Sequence, residues 1–360
     1  MPPALSTARP MLSTARAKRG TGDWRLETRL KWLGGWVHMT GVFAYAVRRI
    51  FTTIPLLVAA TFVVFVLVSI SGDPLARLAT CTTCSDAAYD RLIDLYELDK
   101  PIPLRYVGWI TDAATGDLGT STSLGEKPVA GIVAERLWNT ALLAVPSFLL
   151  IAFLAVVLGV FSAIKQYSIG DYLVTGASFV GIAMPTFFFG LLLQAFWGVW
   201  WQDWTGWKPF YVTGKHVASF GDYLASATLP IITLTIVLLA TESRFQRAAM
   251  LEVIGSDYIR TARAKGLSER RVIFKHALRN ALIPLVTLWA LDFAGLLGGS
   301  VITETIFAWP GLGQLLVSAL PNLDLDLVMG LVMVAALLTI SFNLLADLLY
   351  GVLDPRIRYD

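Results

Sequence analysis

Residues 256–284 read SDYIRTARAKGLSERRVIFKHALRNALIP. Ser256 and Asp257 are of the types that cap a helix start, the run to Lys265 is mostly good helix formers, and Gly266 suits the left-handed position past a helix end. Ser268 then offers a second cap, from which a second helix runs to Pro284 and on into apolar sequence. The stretch predicts a short helix, a glycine break and a longer helix. On the short helix Tyr258, Ile259 and Ala262 share a face, with Arg260, Arg263 and Lys265 largely elsewhere. A short helix of this kind has the form of an element that docks in a groove on another protein. A basic loop that only obeys a membrane charge bias would carry the same charge without the glycine-centred pattern.

The surrounding chain is greasy. Of its 360 residues 56% are hydrophobic and 15% charged, which does not describe a water-facing surface. Six segments are long and apolar enough to span a bilayer, at about residues 50–70, 138–163, 173–200, 224–241, 282–303 and 327–349. They do not alternate with period two, so helices rather than a barrel are expected, in an all-α membrane protein with six transmembrane helices. Prolines at 55, 146, 185, 230 and 284 fall in or beside these spans, where lipid-embedded helices tolerate them. Six spans put both termini on one side. Nine basic residues lie in the tail to Arg49 and nine between Arg244 and Arg279, so the positive-inside rule predicts N-in and C-in, with a cytoplasmic loop at 248–280 between spans four and five.

Residues 1–40 read as a cytoplasmic, disordered tail with a direct repeat of LSTAR and an interfacial stretch WRLETRLKWLGGW; a start at Met39 is the alternative. The segment 71–136 is expected outside and contains both cysteines of the chain, Cys81 and Cys84. One C-x-x-C supplies too few ligands for zinc, and a local disulfide and two free thiols both remain open. Five tryptophans in 197–207 mark an aromatic belt at the outer end of the third span.

The stretch MLEVIGSDYIRTARAKGLSERRVIFKHALRNALIP closely resembles the cytoplasmic signature of the permease subunits of binding-protein-dependent ABC importers. The match is to the dipeptide and oligopeptide branch, and to the first of its two permeases. The general signature has Glu-Ala-Ala before its glycine, where this chain has Arg260-Thr261-Ala262 and then Gly266. SGDP, GDLGTS, GIAMPTFFFGLLL, LLGGSVITETIFAWPGLGQLL and DLLYGVLDPRIR follow the family in the same order, so the resemblance covers about residues 45–358. It implies a type I ABC importer permease fold with a cytoplasmic coupling helix between spans four and five. It also implies a bacterial cytoplasmic membrane location, a second homologous permease as heterodimer partner, two cytoplasmic ATPase subunits or domains and an external substrate-binding protein. Peptides are the implied cargo; nickel complexes, glutathione and haem are carried by similar systems.

Carried over residue by residue, the docking element would comprise Asp257, Tyr258, Thr261, Ala262, Arg263, Ala264, Lys265, Gly266 and Leu267. The chain has no G-x-x-x-x-G-K-[ST] phosphate loop, so ATP and Mg are expected on the partner ATPases, with no cofactor, metal, catalytic residue or nucleic acid on this chain. Asp292 lies roughly 17 Å into the fifth span, where a carboxylate is costly and marks either a pathway residue or the partner of a group on the second permease. Glu304, Trp309, Pro310 and Gly311, in the Gly- and Pro-rich segment after that span, would shape a gate below the binding protein. An ion-coupled secondary transporter and a membrane enzyme are the rival classes. The first lacks an evident repeat; the second lacks H-E-x-x-H, G-x-S-x-G and paired carboxylates within a span.

Overall fold

The structure, a computed structural model, describes residues 24–72, 90, 93–94 and 96–353, with side chains described between 48 and 349. Cys81 and Cys84 lie outside the described residues. Contacts divide the chain into residues 1–45 with 359–360 and a main body, 46–358, to which the packing and the sites described below belong.

Eleven helices carry the argument, beginning with α1 (Trp24–Ser71), α2 (Ile102–Ala114), α3 (Val129–Ile164), α4 (Ile169–Ala183) and α5 (Thr186–Ala195). They continue with α6 (Phe220–Ile254), α7 (Asp257–Ala264), α8 (Ile283–Leu297), α9 (Val301–Ile306), α10 (Leu312–Ala319) and α11 (Leu325–Leu353). The one departure from all-α architecture among the described residues is a two-residue antiparallel ribbon, β1 (Thr120–Ser121) with β2 (Lys127–Pro128).

Five helical segments are long and apolar enough to cross a membrane: Arg48–Ser71, Val129–Ile164, Phe220–Ile254, Ile283–Ile306 and Leu325–Leu349. The expected third span, 173–200, is not one tilted rod. It is α4 and α5 bent by 102° at Met184 and Pro185, so the number of spans is six only if this pair crosses as one. Pro185 offers no N–H to the ladder and pushes Met184 into an extended conformation (φ −87°, ψ 121°), which ends the helix there. The first, second, fourth and sixth spans run past their sequence-based limits because a helix continues beyond the hydrocarbon wherever its flanking residues are helix formers, whereas the fifth, expected to reach 303, breaks after Leu297 at Gly298 and Gly299. α3 begins nine residues early, taking in Glu135 and Arg136, α6 extends to Ile254, and α1 begins at Trp24, inside the segment expected to be a disordered tail.

Packing defines a basic end, where the loop 255–282 lies, and an opposite end. α3 lies along α6, and Gly159 permits the approach: a Cβ there would sit 2.6 Å from the Gln246 Cβ and 2.8 Å from the Ser243 carbonyl oxygen. Leu143, Ile151, Leu234, Leu296 and Leu297 fill the centre between α3, α6 and α8. α1 and α2 stack Phe65, Tyr106 and Trp109 on Met329 and Met333 of α11. On the outer faces Phe51, Leu56, Leu149, Phe153, Leu173 and Phe179 are exposed, a surface matched to lipid rather than water.

Candidate functional site

At the basic end the predicted helix, glycine break and helix all form. α7 ends in a paired C-terminal motif: Gly266 N–H donates to the Arg263 carbonyl (2.9 Å) and Leu267 N–H to the Ala262 carbonyl (3.4 Å). Gly266 holds φ +77°, the left-handed conformation the sequence requires of it. Ser256 occupies the N-cap position, but its hydroxyl donates back to the Val253 carbonyl (2.6 Å) rather than capping α7. After the break, Glu269–Arg271, a π-turn at Val272–Ala277 and Leu278–Ala281 lead into α8.

The two faces of α7 differ in kind. Ile259 and Ala262 point inward and pack with Val160, Ala163, Met250, Val272 and Ile273. Ala262 therefore belongs to the interior, not to the docking surface in which the sequence placed it; on so short a helix, burying Ile259 carries the residue three positions on into the same contact. Asp257, Thr261, Arg263, Ala264, Lys265 and Gly266 are exposed, and Leu267 is half-buried. Tyr258, expected beside Ile259, is 45% exposed, and Asn280 Nδ2 donates to its hydroxyl at 2.7 Å. Arg263 reaches across the glycine turn, donating from Nη2 to Glu269 Oε1 (2.7 Å) and from Nε to Oε2 (3.1 Å). This pairing holds the Glu269 carboxyl below the usual carboxylate range and raises Arg263 further.

Beneath this loop, α3, α4 and α6 are tied by a buried carboxylate. Asp171 accepts from Arg247 Nε and Nη2 (both 2.9 Å), from the Tyr167 N–H (2.9 Å) and from the Ser162 hydroxyl. Sequence inspection missed it because neither Asp171 nor Arg247 carries a local motif, and 76 residues separate them.

At the opposite end, Glu304 is fully buried. Its Oε1 accepts from the Thr140 hydroxyl (2.9 Å), and its Oε2 accepts from the N–H groups of Gly313 (2.8 Å) and Gln314 (3.1 Å) at the start of α10. A Cβ on Gly311 would run into that carboxyl. Trp309, also fully buried, donates from Nε1 to the Asn139 carbonyl (2.8 Å), and Asn139 Nδ2 returns a bond to the Pro310 carbonyl (2.9 Å). Glu304, Trp309, Pro310 and Gly311 come together in a knot that fastens the loop to α3. In this conformation the Glu304 and Trp309 side chains offer no surface to a passing solute.

Asp292, on α8, lines a cavity of about 400 Å³ whose walls include Thr186, Leu234, Leu238, Gly295 and Ile302. From α6 the Glu242 carboxyl faces it directly. The sequence anticipated no paired carboxylates in the spans because Glu242 was read as the boundary of the fourth; with α6 continuing to Ile254, it lies 3% exposed inside the bundle. The available signal was a polar stripe at helical spacing, Thr235, Glu242 and Gln246, all buried. Among the described residues no group of three or more metal-ligating side chains is present.

Two family models match the chain: the binding-protein-dependent transport system inner membrane component over residues 155–359, and the N-terminal part of such membrane components over 42–152. The chain is similar to the oligopeptide transport system permease protein AppB of Bacillus subtilis (strain 168), with 39% identity over 319 residues, covering 88% of this chain and 99% of the relative. It is 37% identical over 335 residues to the dipeptide transport system permease protein DppB of Escherichia coli (strain K12), covering 88% and 98%. The oligopeptide transport system permease protein OppB of Mycobacterium bovis is 36% identical over 322 residues, covering 87% and 98%. A bundle of apolar helices whose sequence aligns nearly end to end with such relatives has one assignment: the chain belongs to the family of binding-protein-dependent transport system inner membrane components.

Proposed function

We propose that the chain is a membrane-spanning permease of an ATP-driven importer, forming with a second, homologous permease the path for peptides handed over by an external binding protein. The similarity to oligopeptide and dipeptide permeases supports peptide cargo over nickel complexes, glutathione or haem. The chain itself is a channel subunit rather than an enzyme, and nucleotide hydrolysis with its Mg belongs to two cytoplasmic ATPase subunits. Counting the bent pair α4 and α5 as one span gives six, which would leave both termini on one side of the membrane; the excess of Lys and Arg in the tail to Arg49 and in the loop 255–282 supports a cytoplasmic position for that side.

The observation that carries this reading is the split of α7. Ile259 and Ala262 are seated on α3 and α6, whereas Asp257, Thr261, Ala264 and Lys265 are exposed on a helix closed by a fixed left-handed glycine. Such an element transmits a push, because its inner face moves with the spans while its outer face is available to an ATPase cleft. Closure of the ATPases would turn the spans and open the path outward to the docked binding protein; hydrolysis would return it inward. Tagging this chain, purifying the complex into lipid discs and measuring ATP hydrolysis with Thr261→Trp or Ala264→Trp tests it. Co-purifying ATPases whose activity is released or uncoupled from binding protein by these substitutions support the reading. A chain that purifies alone and takes up cargo on a proton or sodium gradient would overturn it.

A further inference from the structure

We propose that Glu242 and Asp292 form an intramembrane subsite for the ammonium group of the peptide in transit, with Asp292 on the cavity wall and Glu242 behind it. The proposal rests on the peptide-permease reading above and adds to it where on this chain the cargo is recognised.

Three observations carry it. Asp292 is the one ionisable side chain among the residues lining the 400 Å³ cavity between α5, α6, α8 and α9. Glu242, on a different helix and nearly wholly buried, lies within interaction range of Asp292 and of the Trp289 indole, and no hydrogen bond satisfies its Oε2. One turn further along α6, Gln246 is fully buried with both Oε1 and Nε2 unpartnered. A helical side chain leans toward the preceding turn, which carries the Gln246 amide toward Glu242.

Two carboxyls brought together in low dielectric repel strongly as anions, and are relieved either by a shared proton or by a cation that joins them. None of the basic residues in the described ion pairs reaches either one. Arg247, on the same helix, is held by Asp171. Arg244 instead lies over the Phe179 ring at 4.5 Å. Every unblocked peptide carries one ammonium group, and a primary ammonium has three donors for two carboxyls and an amide oxygen. The cavity walls beyond Asp292 are mostly apolar, which suits side chains of varied identity above one fixed charge.

The test uses the complete importer in lipid discs with its binding protein, a tripeptide, and its N-acetylated twin. Labelling of buried carboxyls by a hydrophobic carbodiimide, read by mass spectrometry at Glu242 and Asp292, does not depend on delivery by the binding protein. The free-amine peptide is expected to slow labelling several-fold and the acetylated twin to leave it unchanged. In uptake, Asp292→Asn is expected to reduce transport of the free-amine peptide by roughly tenfold, with Asp292→Glu restoring most of it. Equal protection by both peptides, or none, overturns the subsite, as it would if a cation of the second permease fills the pair. Peptide uptake by the unaltered complex alongside unchanged labelling removes the subsite alone. No peptide uptake by the unaltered complex removes the cargo reading and the subsite with it.

Discussion

The two loops flanking α8 solve opposite problems. The segment 298–325 at the opposite end turns its polar groups inward: Glu304 meets two backbone N–H groups and a hydroxyl, and Trp309 and Asn139 exchange bonds with the main chain. The loop 255–282 turns its polar groups outward and is anchored by Ile259, Ala262 and the Arg263–Glu269 pair. One loop is over-determined within the chain; the other leaves a charged helical face exposed, its charges paired only at the surface. A loop that fixes architecture completes its hydrogen bonds internally, whereas the loop proposed to transmit force keeps an exposed surface for a partner.

The contrast predicts unequal costs. Glu304→Ala strips the α10 N-terminus and Thr140 of their acceptor in a buried site, and should cost about 4 kcal/mol. Thermal unfolding of the purified complex is expected to shift down, with uptake and protein level falling together. Ile259→Ala, at the other loop, removes a fully buried side chain and should cost about 3 kcal/mol locally. Here hydrogen exchange is expected to rise in α7 while the spans stay protected, and ATP hydrolysis to continue without driving uptake. If the two substitutions gave the same pattern, the division between scaffold and transmitter would fail.

Smaller effects sharpen the distinction. A Cβ on Gly266 meets open space, so Gly266→Ala acts through φ +77° alone and should cost about 1 kcal/mol. Coupling efficiency is expected to drop with little change in overall melting. The Arg263–Glu269 clasp is smaller still. The folded state depresses the Glu269 carboxyl, so its contribution is present above the ordinary glutamate range and is lost as pH falls through the lowered value. Coupling measured from pH 6 down to pH 3 should show a weak acid dependence, confined to the region below the ordinary glutamate range, that Glu269→Gln abolishes, and salt should mimic the loss because the pair is exposed.

Much of α7 was legible because its signals are local: a cap residue type, helix formers, and a glycine at the one position where only glycine is at ease. The direction each residue faces was not. Ala262 and Tyr258 were placed on one face by spacing, yet packing against Met250 and Val272 took Ala262 inside and left Tyr258 half outside. Asp292 stood out because a lone charge in a greasy run is visible by eye, whereas Glu242 passed as a boundary, since hydropathy has no means of seeing that α6 continues inside the bundle.

The sequence alone determined that this chain lives in lipid, which segments are apolar enough to span, where the chain breaks at glycine, and to which family its strings of motifs belong. These follow from composition, period and local conformational preference, each of which acts over a few residues. Tertiary structure decided that α4 and α5 meet at 102°, that Asp171 ties three helices, that Glu304 is a fastener, and that Glu242 faces Asp292. Those outcomes depend on which helices lie side by side, and a polar group buried in a bundle acquires its role from the neighbour it meets rather than from the residues beside it in the chain.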